Sequence, residues 1–284
     1  MSTLFKDVGW YNIDDALSQF SKPDEKFEIL CLPGQDSPYN HEMKNNVSGS
    51  YRHYMRNLNK EINLLTVSPQ SETDLNGCKK ALILALNLNA SSVIISSNTV
   101  SEFTPLFEEL KENGVYIGII TDPNTDSNDL ADNAVGFSQE NVHAQTIEKL
   151  LQRPNLDSKK LRIAYFPGPK SNNFTLKRIS GFYDLLKKFK ISEEQVCIYP
   201  GGNFSPNETH DLAEKVVAEN KLDENFVAIF QNDGMLLGFK TYLSENGILQ
   251  NFPMIGVDGI DEVKKKISEN EKIATSNVNV QKNC

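Results

Sequence analysis

No run of about 20 apolar residues, the length a membrane-spanning helix requires, occurs in this 284-residue chain. Its first residues, MSTLFKDVGWYNIDD, hold no apolar stretch of the kind that drives secretion, so the chain reads as soluble, unexported and not embedded in a membrane. Basic residues are in deficit, 29 Lys and Arg against 38 Asp and Glu for a net charge of −9. A chain built to hold phosphate backbones needs clustered Lys and Arg, so nucleic acid is not an expected partner.

Cysteine is scarce. Cys31 and Cys197 fall inside the apolar stretches EILCL and QVCIY, and the four cysteines show no CxxC or Cys/His spacing; they read as core thiols rather than disulfides or metal ligands. His41, His53, His143 and His210 lie at no ligand-like spacing and read as surface or helix-face side chains. The glycine cradles GxGxxG and GxxxxGK[ST] are missing. The segment FPGPKSNN (166–173) follows a strand, yet Pro167 and Pro169 remove the amides a phosphate loop would use. Neither GxSxG nor HExxH occurs, and a phosphorylated-aspartate receiver would find only Asp36, displaced from the first strand end. No cofactor or metal is expected, and the chain does not read as an enzyme.

What is present is an alternation of strand and helix in a chain of ordinary globular composition, 39% hydrophobic and 24% charged. Apolar runs at 27–32, 62–67, 92–96 and 115–121 read as strands, separated by helical patterns at 41–59, 73–88 and 103–114, the last stopped by Gly114. A short apolar piece, 134–137, and a helix from about Asn141 follow, and RPNLDSKK (153–160) reads as a surface connection. The pattern restarts with strands at 161–166, 196–200, 226–231, 253–257 and 273–278 and helices at 171–189, 206–220, 234–246 and 260–269. Such alternation predicts parallel sheets covered on both faces.

Open sheets of this kind bind ligands at the carboxyl ends of their strands. The residues there are polar or aromatic: GQDSPYN (34–40), SSN (96–98), TDP (121–123), QEN (139–141), GGNF (201–204), QND (231–233) and VDG (257–259). Amides and carboxylates meet hydroxyls in fixed directions while an aromatic face covers the C–H side of a sugar ring. The pattern suits a polyol.

The segments FVAIFQNDGMLLGFKTYL (226–243) and FPMIGVDGIDEV (252–263) resemble the C-terminal half of type I periplasmic binding proteins, the ribose- and galactose-binding kind, whose fold also serves as the effector domain of LacI-type repressors. The resemblance spans about residues 27–280. It implies an α/β fold of two doubly wound parallel-sheet lobes joined by a multi-strand hinge. Residues 1–26 would be an N-terminal extension, 27–138 the first lobe, 139–278 the second, and 279–284 the start of a return crossing. It also implies ligand-binding roles. Arg178, three residues before Gly-Phe in KRISGF, would donate to sugar oxygens; Asn232 and Asp258 would bind hydroxyls, each with helix N-capping as its rival role; Asn141, Phe204 and Tyr39 match an asparagine and two stacking aromatics; Asp122 matches a strand-end aspartate. The family arginine after that aspartate is Pro123 here, and a residue at the last crossing is to be chosen among Asn277, Asn279 and Gln281, with Asn279 taken.

The implied function is a solute-binding or sensing protein that closes on a small, sugar-like polar ligand in the periplasm and presents the closed form to a membrane permease or a sensor histidine kinase. Two alternatives stand beside it. One is a LacI-type effector domain, although the 26 residues before Phe27 are too few and too acidic for a helix-turn-helix; the other is a small doubly wound enzyme using Asp258 or Asp122 as base.

Overall fold

The structure, a computed structural model, describes residues 5–20, 25–35, 37–58, 61–71, 74–97, 99–122, 128–136, 138–152, 159–269 and 272–277. It divides into two compact units, residues 1–137 with 280–284 and residues 138–279.

The first unit runs β1 (Phe5–Asn12), α1 (Ile13–Gln19), β2 (Phe27–Cys31), α2 (Pro38–Leu58), β3 (Ile62–Ser68), α3 (Leu75–Asn87), β4 (Ser92–Ser96), α4 (Thr104–Glu112), β5 (Tyr116–Ile120) and β6 (Asn133–Val135). Its sheet is parallel in the order β1-β3-β2-β4-β5-β6. Every residue of β2 is buried, as expected of a strand covered on both faces. The chain passes from β2 to β3 on one side and β4 pairs on the other, so the carboxyl end of β2 lies at the switch in strand order where open sheets bind ligands. Helix ends follow local chemistry. Asp74 caps α3 by accepting from the Gly77 N–H at 2.9 Å, and Gly114, at φ +72°, ends α4 as its sequence predicts.

Residues 5–19 correct the reading of 1–26 as an extension before the first strand. They form β1 and α1, and β1 joins the sheet edge beside β3, from Phe5 opposite Ile62 to Asn12 opposite Ser68. Phe5, Ile13 and Ala16 are buried. The segment KDVGWYN hides its strand because an edge needs no continuous apolar run, and the Asp7-to-Gly9 register shift, with Gly9 at φ +131°, breaks its alternation.

The second unit runs α5 (Ala144–Leu151), β7 (Arg162–Phe166), α6 (Asn173–Phe189), β8 (Val196–Ile198), α7 (Pro206–Glu219), β9 (Phe226–Phe230), α8 (Asp233–Glu245), β10 (Met254–Asp258), α9 (Asp261–Ser268) and β11 (Ile273–Asn277). Its parallel sheet has the order β11-β10-β9-β7-β8, which puts the switch between the carboxyl ends of β7 and β9. Aromatic rings fill the layers on either face. Tyr165 stacks on Phe182 at 4.2 Å between centroids, and Phe166 on Phe230 at 4.4 Å. Two parallel α/β sheets are the architecture the alternation predicts.

Candidate functional site

In the second unit Gln231, just past β9, centres a bonded group that reaches Gly168 after β7 and Arg178 in α6. Gln231, fully buried immediately past β9, holds three neighbours through its side chain: its Oε1 accepts from the Gly168 N–H at 3.1 Å, and its Nε2 donates to the Tyr165 hydroxyl at 2.7 Å and the Thr175 carbonyl at 3.2 Å. Its own carbonyl accepts from a terminal nitrogen of Arg178. The sequence set Gln231 among the strand-end polar residues (QND, 231–233) without choosing it as a binding residue.

Arg178 is 6% exposed. Its Nε donates to Gln139 Oε1 at 2.6 Å, and its guanidinium carbon lies 5.7 Å from the centre of the Phe204 ring, within the range of a cation–π attraction. Phe204 is held at φ +61° after Asn203 at φ +44°, and Gly168 allows the ring's approach, because a Cβ there would strike Phe204 and the Thr175 hydroxyl. Asn232 then ties this loop down, donating from Nδ2 to the Phe204 carbonyl at 3.0 Å while its Oδ1 caps α8 by accepting from the Met235 N–H at 2.8 Å. The capping role weighed for Asn232 is therefore present.

Asp258 is different. The cap of α9 is Ile260, which offers no side-chain bond. The N–H groups of Gly259 and Ile260 are instead taken by Asp233 Oδ2 at 2.8 and 3.0 Å, and Asp233 Oδ1 accepts from the Thr275 hydroxyl at 2.7 Å. A buried carboxylate from the neighbouring strand end thus fixes the turn before α9, and Asp258 is not the N-cap of that helix. It sits 8% exposed at the end of β10 with φ +113°, a conformation that costs a non-glycine residue about 1–3 kcal/mol.

His143 is a buried histidine, contrary to the expectation of a surface or helix-face side chain. It lies edge-on to Tyr165 at 6.2 Å, and burial, assisted by the charge of Arg178, pushes its imidazole pKa down to about 3, so the ring is neutral at ordinary pH. Asn141 is exposed on the turn before α5 and donates to Ser138 Oγ at 3.2 Å; Gln139, two residues earlier, is the member of that turn bonded to Arg178.

In the first unit Tyr39 is half-buried in the first turn of α2, against the apolar cluster of Leu30, Leu32 and Met43. Asp122 is 1% exposed just past β5, where the Thr121 N–H donates to the Val135 carbonyl at 2.9 Å. Pro123 and Asn279 lie outside the described residues. The structure thus brings Arg178, Phe204 and Asn232 together with Gln231 and Gln139, and places Asp258 on the adjoining strand end. Among the described residues no group of His, Cys, Asp or Glu could hold a metal ion.

The sequence profile of a family described as a periplasmic binding protein domain matches residues 31–282. The chain belongs to that family. No curated protein sequence matches it, but solved structures share its fold. An ABC transporter periplasmic solute binding protein from Actinobacillus succinogenes 130z with bound D-allose is 15% identical with a TM-score of 0.73, over 91% of this chain and 87% of that one. The Caulobacter myo-inositol binding protein bound to myo-inositol is 16% identical with a TM-score of 0.69, over 92% and 85%. A LacI family transcriptional regulator from Enterococcus faecium with bound ribose is 17% identical with a TM-score of 0.65, over 91% and 87%. Identities this low carry the fold alone. Periplasmic binding protein domains are solute-binding modules rather than enzymes, and open parallel sheets as a class offer ligands polar contacts at the carboxyl ends of their strands.

Proposed function

We propose that this chain is a non-catalytic solute-binding protein whose ligand is a sugar or sugar-like polyol. Arg178, Asn232 and Asp258 would make the polar contacts of the second unit and Phe204 a stacking face, with Asn141 beside them; Tyr39, Asp122 and Asn279 would add contacts of their own. The observation that carries this reading is Asp258. Its carboxylate stands at a strand end in a strained backbone while Asp233 fixes the β10–α9 turn, and strain that secondary structure does not require is the mark of a functional position. An acceptor carboxylate beside a forked donor and an aromatic face also suits neutral hydroxyls better than a charged metabolite.

Ligand-driven closure of the two units belongs to this reading, the ligand favouring the closed form by its extra contacts there. So do a periplasmic location and a permease or sensor kinase that reads the closed form. The likeness to the ribose-bound LacI family regulator favours a second reading, the effector domain of a repressor, which would respond to the same class of ligand but act through operator DNA. The test is a titration of the full chain with neutral pentoses, hexoses and inositols. Arg178→Ala and Asp258→Ala should each weaken binding of the accepted compound by about 1–3 kcal/mol, since each leaves a polar ligand group without its partner. Unchanged affinity in both variants would refute the site.

A further inference from the structure

The second unit holds a cavity of about 260 Å³ lined by residues of α5, α9, β10 and the edge strand β11. Its walls are apolar: Leu150 from α5, Ile255 from β10, Ile267 from α9 and Ile273 from β11. The first two and Ile273 are buried, whereas Ile267 is 38% exposed and stands at the mouth. Beside it the Thr146 and Ser276 hydroxyls lie 2.7 Å apart and tie α5 to β11. The charge here is one-sided. Lys149 and Lys272 line the cavity and, among the described residues, no carboxylate does, in a chain with 38 Asp and Glu against 29 Lys and Arg. Lys272 donates only to neutral acceptors of Asn251, its carbonyl at 3.0 Å and its Oδ1 at 2.8 Å. Lys149 forms no ion pair with a described residue, although Glu148 beside it is paired with Lys188. Two ammonium groups therefore border an apolar hollow with no described anion to balance them.

We propose that this cavity is a second small-molecule site, one that takes an amphipathic monocarboxylate. The apolar body of the ligand enters between Leu150 and Ile267, and its carboxylate meets Lys149 and Lys272. A volume of about 260 Å³ lies just below the usual lower bound of about 300 Å³ for ligand pockets, which limits the ligand to a short chain or a single ring. Burial of that body supplies the affinity, and the two ammonium groups select acids over alcohols of the same shape. A polyol does not suit this site, because its hydroxyls would lose water to the side chains of Leu150, Ile255 and Ile273 without gaining partners. The cavity shares no lining residue with the group of Arg178, Asn232 and Asp258, so the two sites take different ligand classes.

The test is calorimetric titration of the full chain, at neutral pH and low salt, with 4-phenylbutyrate and with its neutral counterpart 4-phenylbutanol. The acid should bind saturably and one-to-one, about tenfold or more tighter than the alcohol. Lys149→Glu, at an exposed position, should weaken the acid by about tenfold or more, and Ile267→Asp, which sets a carboxylate at the mouth, should abolish its binding. Melting curves of both variants confirm that they fold. Arg178→Ala should leave the affinity for 4-phenylbutyrate unchanged, which separates this site from the one proposed for polyols. No saturable binding of the acid by the native chain would overturn the proposal, as would equal affinity for acid and alcohol. So would a loss of binding in Arg178→Ala with none in Lys149→Glu.

Discussion

Two aspartates at neighbouring strand ends divide their labour. Asp233 accepts three bonds, from Gly259, Ile260 and Thr275, and so fixes the β10–α9 turn. Asp258, in that turn, carries the backbone strain. Replacing Asp258 by glycine, which adopts positive φ freely, should raise the stability of the ligand-free protein by about 1 kcal/mol while weakening polyol binding. Denaturant melts together with titration separate the two effects, and a destabilised Asp258→Gly would contradict the functional account of the strain. A second carboxyl to test is Glu28. It lies in β2, 7% exposed, with the Tyr51 hydroxyl 3.5 Å from Oε2. Burial, opposed by the bond from Tyr51, raises its pKa from 4.5 to about 7. Its unfolded form gives up its proton at lower pH than the native form, so stability declines as pH rises from about 4.5 and levels off above about 7. Each tenfold difference in proton affinity between the folded and unfolded forms is worth about 1.4 kcal/mol, so the decline reaches about 3 kcal/mol. Glu28→Gln should flatten this part of the pH–stability curve, and an identical slope in both proteins would remove Glu28 as its cause.

At the scale of elements, most of the fold was legible because parallel strands buried on both faces are short and mainly apolar. FEILC, SVIIS, FVAIF and MIGVD carry that signature, and their observed ends lie within one or two residues of the apolar runs. β1 was not legible, since an edge strand with a bulge shows no such run. At the site, Asn232 and Asp258 stood out as polar residues at strand ends, while Arg178, inside α6, and Phe204 were singled out by the family resemblance. Gln231 and Gln139 lay within the strand-end segments QND and QEN but were not chosen as binding residues, because what they do depends on contacts 39 to 66 residues away in the chain, which no local pattern encodes. Removing residues 1–20 should uncover the β3 edge and the pocket that holds Ile13 and Ala16, lowering the melting temperature by about 5 °C or more. Trp10, the single tryptophan, bonds through its indole N–H to Ser68 and lies 4.8 Å from the His41 ring, so its fluorescence follows the unfolding of this unit. An unchanged melting temperature after truncation would show β1 to be an ornament on the sheet.

For the whole molecule the claim is that binding, rather than chemistry, is what the two α/β units serve. No helix of the described residues is long and apolar enough to cross a membrane, and the chain carries a net charge of −9. A ligand that binds only the folded form raises stability by about 2.7 kcal/mol at a hundred times its dissociation constant, which a melting curve reads directly. The most direct measurement is therefore calorimetric titration of the full chain against a panel of neutral sugars and inositols, repeated with Asp258→Ala and Arg178→Ala. The account predicts saturable one-to-one binding of at least one neutral polyol, weakened about 5- to 150-fold in each variant, equivalent to about 1–3 kcal/mol. A correctly folded protein that binds none of them, or binds one with the same affinity after both substitutions, would contradict it.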